Sequence, residues 1–106
     1  MTNTDLFQTT DPQGRVIDLY KDTWTHIKAK HKEVKSFYEI KNTIQKPDFI
    51  TENTKRKSLA YSKISSLSLY FNVYVGIEPD SQAGKVRTAF IQDTMPKGNV
   101  IWNQKG

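Results

Sequence analysis

Cysteine is absent from the 106 residues. That excludes a disulfide scaffold, a zinc–thiolate centre and a thiol nucleophile, and it fits a cytoplasmic protein. Histidine is nearly absent. The only two, His26 and His31, stand in the stretch WTHIKAKH. No further histidine or cysteine exists to complete a zinc site, and a spacing of five without an intervening glutamate is not that of a helical zinc-protease pair. No metal and no other cofactor is therefore expected. No apolar run approaches the roughly 20 residues of a membrane span, so no membrane partner is expected either. The opening MTNTDLFQTT has neither a basic start nor an apolar core, and no secretory leader is read there. Glycine-rich phosphate loops, nucleophile elbows and paired carboxylates are missing as well.

Negative charge is the scarcer sign, 11 acidic residues against 16 Lys and Arg, which leaves a net charge of +5. A small basic domain is suited to nucleic acid or another polyanion. The position of the charges matters more than their sum. Lys28, Lys30 and Lys35 fall in one lysine-dense region, and Lys55-Arg56-Lys57 forms a second cluster. Helix lysines often do no more than solvate a face. Two clusters with aromatic residues nearby suit phosphate contacts.

The chain is long enough for one domain with one modest core. Residues 1–14 are polar, with turn signals at Asp11-Pro12 and Gly14, and read as a flexible N-terminal arm. Residues 15–106 read as the single domain. After a short β-prone segment, RVIDLY, residues 21–47 carry helical spacing. Trp24, Ile27, His31, Val34 and Tyr38 recur at steps of three and four, and Phe37, Ile40 and Ile44 make a second stripe. The expectation is two consecutive helices with a break near Lys35-Ser36. Asp22 or Thr23 would cap the first, and Pro47 would end the second. Strand patterns follow: 48–53 and 54–65 as a hairpin with a basic tip, then 68–78, 85–93 and 99–104. In the third of these, Leu69, Phe71, Val73, Val75 and Ile77 alternate with Tyr70, Asn72 and Tyr74. Turns are expected at 79–84 and 95–98. The expected fold is α+β, two N-terminal helices packed on a four-stranded antiparallel meander.

Several residues could carry chemistry. His31 lies on the apolar stripe and reads either as a partly buried, backbone-bonded histidine or as an acid–base group. His26 lies on the other side, near lysines, and reads either as a solvated residue or as a general base. Tyr61 and Lys63 are two apart and share a strand face, whereas Arg87 and Thr88 are adjacent and should point to opposite faces. A histidine, a fixed cation and a hydroxyl around a phosphodiester suffice to cleave RNA without metal. The base takes the 2′-OH proton, the cation stabilises the phosphorane oxygens and an acid protonates the leaving oxygen.

Five stretches in order resemble motifs of the small nucleases of the barnase/EndoU/colicin/RelE-like group: DTWTHIKAKHKE, IKNTIQKPDFI, LAYSK, VRTAFIQD and KGNVIW. The likeness spans residues 16–104. Lys32 stands where the group has proline, Lys30 where it has arginine, and Phe90 where it has tyrosine. The resemblance implies helices before a four-stranded antiparallel sheet, metal-independent RNA cleavage, and a role as a toxin or conflict-system effector with a cognate antitoxin or immunity protein. It implies a site of His26, His31, Tyr61, Lys63, Arg87 and Thr88. It also turns the His31 stripe toward a cleft rather than a dry core. Three readings stay open at this point: an endoribonuclease, a non-catalytic RNA-binding module using the lysine and arginine clusters, and a protein-binding partner or inhibitor.

Overall fold

The computed structural model describes residues 5–66, 68–77 and 82–105. They form seven strands and two helices. In chain order these are β1 (Asp5–Thr10), β2 (Val16–Tyr20), α1 (Lys21–Lys30), α2 (Phe37–Gln45), β3 (Phe49–Asn53), β4 (Ser58–Ser66), β5 (Leu69–Ile77), β6 (Ala83–Gln92) and β7 (Asn99–Asn103). All seven strands join one sheet in the order β1-β2-β6-β5-β4-β3-β7. Neighbours are antiparallel except β2 and β6, which run parallel. The expected four-stranded antiparallel sheet is therefore corrected to a seven-stranded mixed sheet, and two of its strands precede the helices.

The differences have local causes. Residues 5–10, expected as part of a flexible arm, alternate in burial and pair with β2 across a tight turn. Gly14 sits in that turn at φ +86°, a backbone region glycine enters without strain. The Asp11 carboxylate holds the turn by accepting from the backbone N–H of Gln13 and of Arg15. Residues 1–4 of the expected arm and 79–81 of the expected turn lie outside the described residues. Ala83 and Gly84, also expected in that turn, open β6 instead.

The meander expected from β3 to β6 does form. The last strand does not extend it beside β6. The segment 93–98 carries the chain from the end of β6 to the far side of β3, where β7 pairs.

The single stripe from Trp24 to Tyr38 is split earlier than expected, because α1 stops at Lys30 and α2 starts at Phe37. Neither Asp22 nor Thr23 caps α1. Tyr20 occupies the N-cap with no side-chain bond, so the helix follows β2 directly. The start of α2 is set by a capping box: Tyr38 N–H donates to Ser36 Oγ, and Glu39 Oε1 accepts from Ser36 N–H. Such a box satisfies N–H groups that the helix itself leaves unpaired. Ser36→Ala is expected to cost about 1 kcal/mol, read as a lower midpoint in thermal unfolding followed by circular dichroism.

Both helices lie on one face of the sheet. Ile27 of α1, and Ile40 and Ile44 of α2, join Ile17, Leu19, Ile50, Leu59, Tyr61, Val73 and Val75 in one core. The alternation of β4, β5 and β6 leaves Ala60, Ser62, Asn72, Tyr74 and Phe90 on the opposite face, which no helix covers. That open face carries the cleft.

Candidate functional site

A cleft of about 590 Å³ lies on the open face. β3, β4, β5 and β6 supply its floor through Thr51, Ala60, Tyr74, Thr88 and Phe90. The crossover contributes Thr94 to Lys97 as one wall, and the β3–β4 turn contributes Arg56 at one end. The cleft thus exists because the chain must pass over this face to bring β7 beside β3.

The floor is fixed by a chain of side-chain hydrogen bonds. Ser62 Oγ donates to Asn72 Oδ1 (2.6 Å), and Asn72 Nδ2 donates to Gln92 Oε1 (2.7 Å). The Tyr74 hydroxyl donates to the same Gln92 oxygen (2.5 Å), while Gln92 Nε2 donates to Thr94 Oγ1 (3.1 Å). Gln92 therefore ties two strands to the crossover. Burial pushes the Tyr74 phenol above its ordinary value, against an opposing hydrogen bond with Asn72, which keeps it a protonated donor. Satisfied buried networks of this kind hold side chains in one arrangement.

Three rings stack along the cleft's side. His31 lies on Phe90 with centroids 4.8 Å apart, and Phe90 lies on Tyr74 at 5.5 Å, both with interplanar angles of 23°. His31 can reach Phe90 because β2 pairs with β6 only as far as Lys85. Beyond that point the edge of β6 is free of a strand, and the end of α1 covers it. Glu33 seals the edge: its Oε2 accepts from Ile91 N–H (3.3 Å) and stands 3.9 Å from His31 Nδ1.

Arg87 is placed by an irregularity. Tyr74 pairs with Thr88 but Val75 pairs with Val86, so Arg87 is the extra residue of a β-bulge. A bulge re-aims the side chains beside it, and Arg87 and Thr88, expected on opposite faces, both line the cleft. The guanidinium lies over Gly76, where a Cβ would collide with Arg87 Nε. Arg87 Nη1 donates to the Arg56 carbonyl at 3.4 Å. Lys97 is the third cation of the lining, which includes no Asp or Glu among the described residues. Among the described residues none of the three forms an ion pair.

Of the residues singled out in the sequence, Arg56, Arg87 and Thr88 line this cleft, and His31 stands behind its lining, against Phe90. Tyr61 and Lys63 do not, since their strand phase is that of the helix-covered face. Tyr61 is fully buried, and its hydroxyl donates to Asp11 Oδ2 (2.5 Å). Burial, reinforced by Asp11, holds its phenol far above the ordinary value, so it stays neutral. His26 is exposed on α1, away from the buried Trp24 and Ile27. Lys28 lies 5.8 Å over the Trp24 ring. Lys30 and Lys35 are exposed at and beyond the end of α1, and Lys55 and Lys57 are exposed at the β3–β4 turn. No cluster of metal-ligating side chains occurs among the described residues, and no helix there is long and apolar enough to cross a membrane.

Phe90, Tyr74, Thr51 and Lys97 are cleft residues that sequence reasoning passed over. Tyr74 carried a signal, an aromatic on the polar phase of the central strand. Thr51 and Lys97 carried none, because only the crossover brings them together. Compared with protein-family models, curated proteins and solved structures, the chain finds no match.

Proposed function

We propose that the chain binds single-stranded RNA along the open face of the sheet. One observation carries this reading. A ladder of three stacked rings, His31, Phe90 and Tyr74, borders a cleft whose lining, among the described residues, has three cations and no carboxylate. Unpaired bases stack on aromatic side chains exposed on sheet faces, and cations beside them follow the phosphates. The five sequence stretches that resemble the small nucleases support RNA as the ligand. Phosphate contacts by Arg56, Arg87 and Lys97 should make affinity salt-dependent. For three contacts the slope is roughly −2 in log affinity against log salt, or about 20-fold weaker binding between ~50 and ~200 mM. Fluorescence anisotropy with a labelled oligonucleotide checks this, and affinity unchanged over that range would refute the reading.

His31 favours a second reading, metal-independent RNA cleavage. It stacks on the cleft residue Phe90 with Glu33 beside one ring nitrogen, and Arg87 and Thr88 line the cleft. In that chemistry His31 takes the 2′-OH proton and returns it to the leaving oxygen, and Arg87 stabilises the charge on the phosphorane oxygens. Tyr61, buried on the other face, takes no part. Binding alone leaves total RNA intact in EDTA on a gel. Fragments with 2′,3′-cyclic ends, lost in His31→Ala but kept in His26→Ala, would instead establish a nuclease.

A further inference from the structure

Resting on the RNA-binding reading, we propose that the cleft is a seat for a phosphomonoester, the terminal phosphate of a strand or the phosphate of a free nucleotide, rather than for an internal phosphodiester. Three observations combine. The first is charge: an internal phosphodiester carries one negative charge, and a phosphomonoester carries about 1.5 to 2 at neutral pH with three strong acceptor oxygens. Arg56, Arg87 and Lys97 share one cleft with no carboxylate in its lining among the described residues, which matches the higher charge.

The second is an orphan. Thr51 lines the cleft, is 2% exposed, and its Oγ1 is buried with no hydrogen-bond partner among the described residues. An unpaired buried hydroxyl costs free energy that a bound acceptor would recover. The third is shape. Arg87 is laid across the sheet by a bulge and by the missing Cβ of Gly76, and its only described partner is a carbonyl at 3.4 Å. A guanidinium so held keeps donors free for bidentate contact with phosphate oxygens. The neighbouring Tyr74 ring, at the end of the ladder, then receives the base attached to that phosphate.

The test is a titration of four probes against the intact chain: one short oligonucleotide with a 5′-phosphate, the same with a 3′-phosphate, the same with neither, and a nucleoside monophosphate. At least one phosphorylated strand is expected to bind about tenfold tighter than the unphosphorylated one. That advantage should vanish in Arg87→Ala and shrink in Thr51→Val, with both variants folded by circular dichroism. Binding of the monophosphate comparable to that of the favoured strand would assign the seat to free nucleotides, and much weaker binding would assign it to strand ends. Equal affinity for all three strands overturns this inference and leaves RNA binding standing. No binding by any probe removes both.

Discussion

Asp11→Ala is expected to destabilise the protein by about 3–5 kcal/mol, the usual cost of removing one partner from a buried charged pair. The carboxylate accepts four hydrogen bonds: from Gln13 N–H, Arg15 N–H, Arg15 Nη1 and the Tyr61 hydroxyl. Its side chain is fully buried beside Arg15, which is 18% exposed. Removal leaves the Tyr61 hydroxyl unpaired in the core and frees the turn that pairs β1 with β2. Tyr61→Phe should cost less, about 1 kcal/mol, because it deletes the stranded donor along with its bond. The two effects should not add: Asp11→Ala on the Tyr61→Phe background should cost visibly less than on wild type. Urea unfolding of the four proteins measures this, and additive losses would show that the contact carries no coupling. Domains of this size have about 5–15 kcal/mol in all, so the single change brings the fold near its limit.

Phe90→Ala is expected to weaken RNA binding by roughly 30- to 100-fold, in line with about 1–3 kcal/mol per stacked base. Phe90 is the middle ring of the ladder, with His31 on one side and Tyr74 on the other. Its faces are taken by those two rings, so its loss acts by releasing the two outer platforms from one arrangement. The ring is only partly buried, and the core residues beside it on β6 are Ala89 and Val86, so folding should survive. Phe90→Tyr keeps the ring and should stay within a few-fold of wild type. Anisotropy titrations at one salt concentration compare the three. Alanine binding within threefold of wild type would show that the ladder is packing only.

What could be read from the sequence was local. Strict alternation in LYFNVYV gives the central strand its two faces, and Phe71, Val73 and Val75 fall where the pattern puts them. The two helices also follow from spacing, although the capping box at Ser36 divides them six residues after α1 ends. Non-local pairings could not be read. Nothing in VIDLY specifies a parallel partner far along the chain, and nothing in NVIWN chooses β3 over β6. Half of the candidate site was legible for the same reason. Arg87, Thr88, Arg56 and His31 stand out by residue type. Tyr61 and Lys63 were drawn toward the site by residue type and by the resemblance of LAYSK, and strand phase assigns them to the other face. The bulge that brings Arg87 and Thr88 together is a register effect, invisible without the partner strand.

The parallel pairing of β2 with β6 also has a consequence for the order of assembly. Every connection within β3–β4–β5–β6 is short, so that meander can close from neighbouring chain at little entropic cost. The β1–β2 hairpin is equally local, but its inner edge has no partner until the whole meander exists. During synthesis β2 emerges long before β6, and its unpaired edge must wait with only α1 and α2 to shield its apolar face. Within the sheet the hairpin meets the meander at one seam, Val16–Asp18 against Ala83–Lys85. Unpaired strand edges are where chains meet each other by mistake, so that seam is the interval in the protein's life when crowding with other copies is most hazardous.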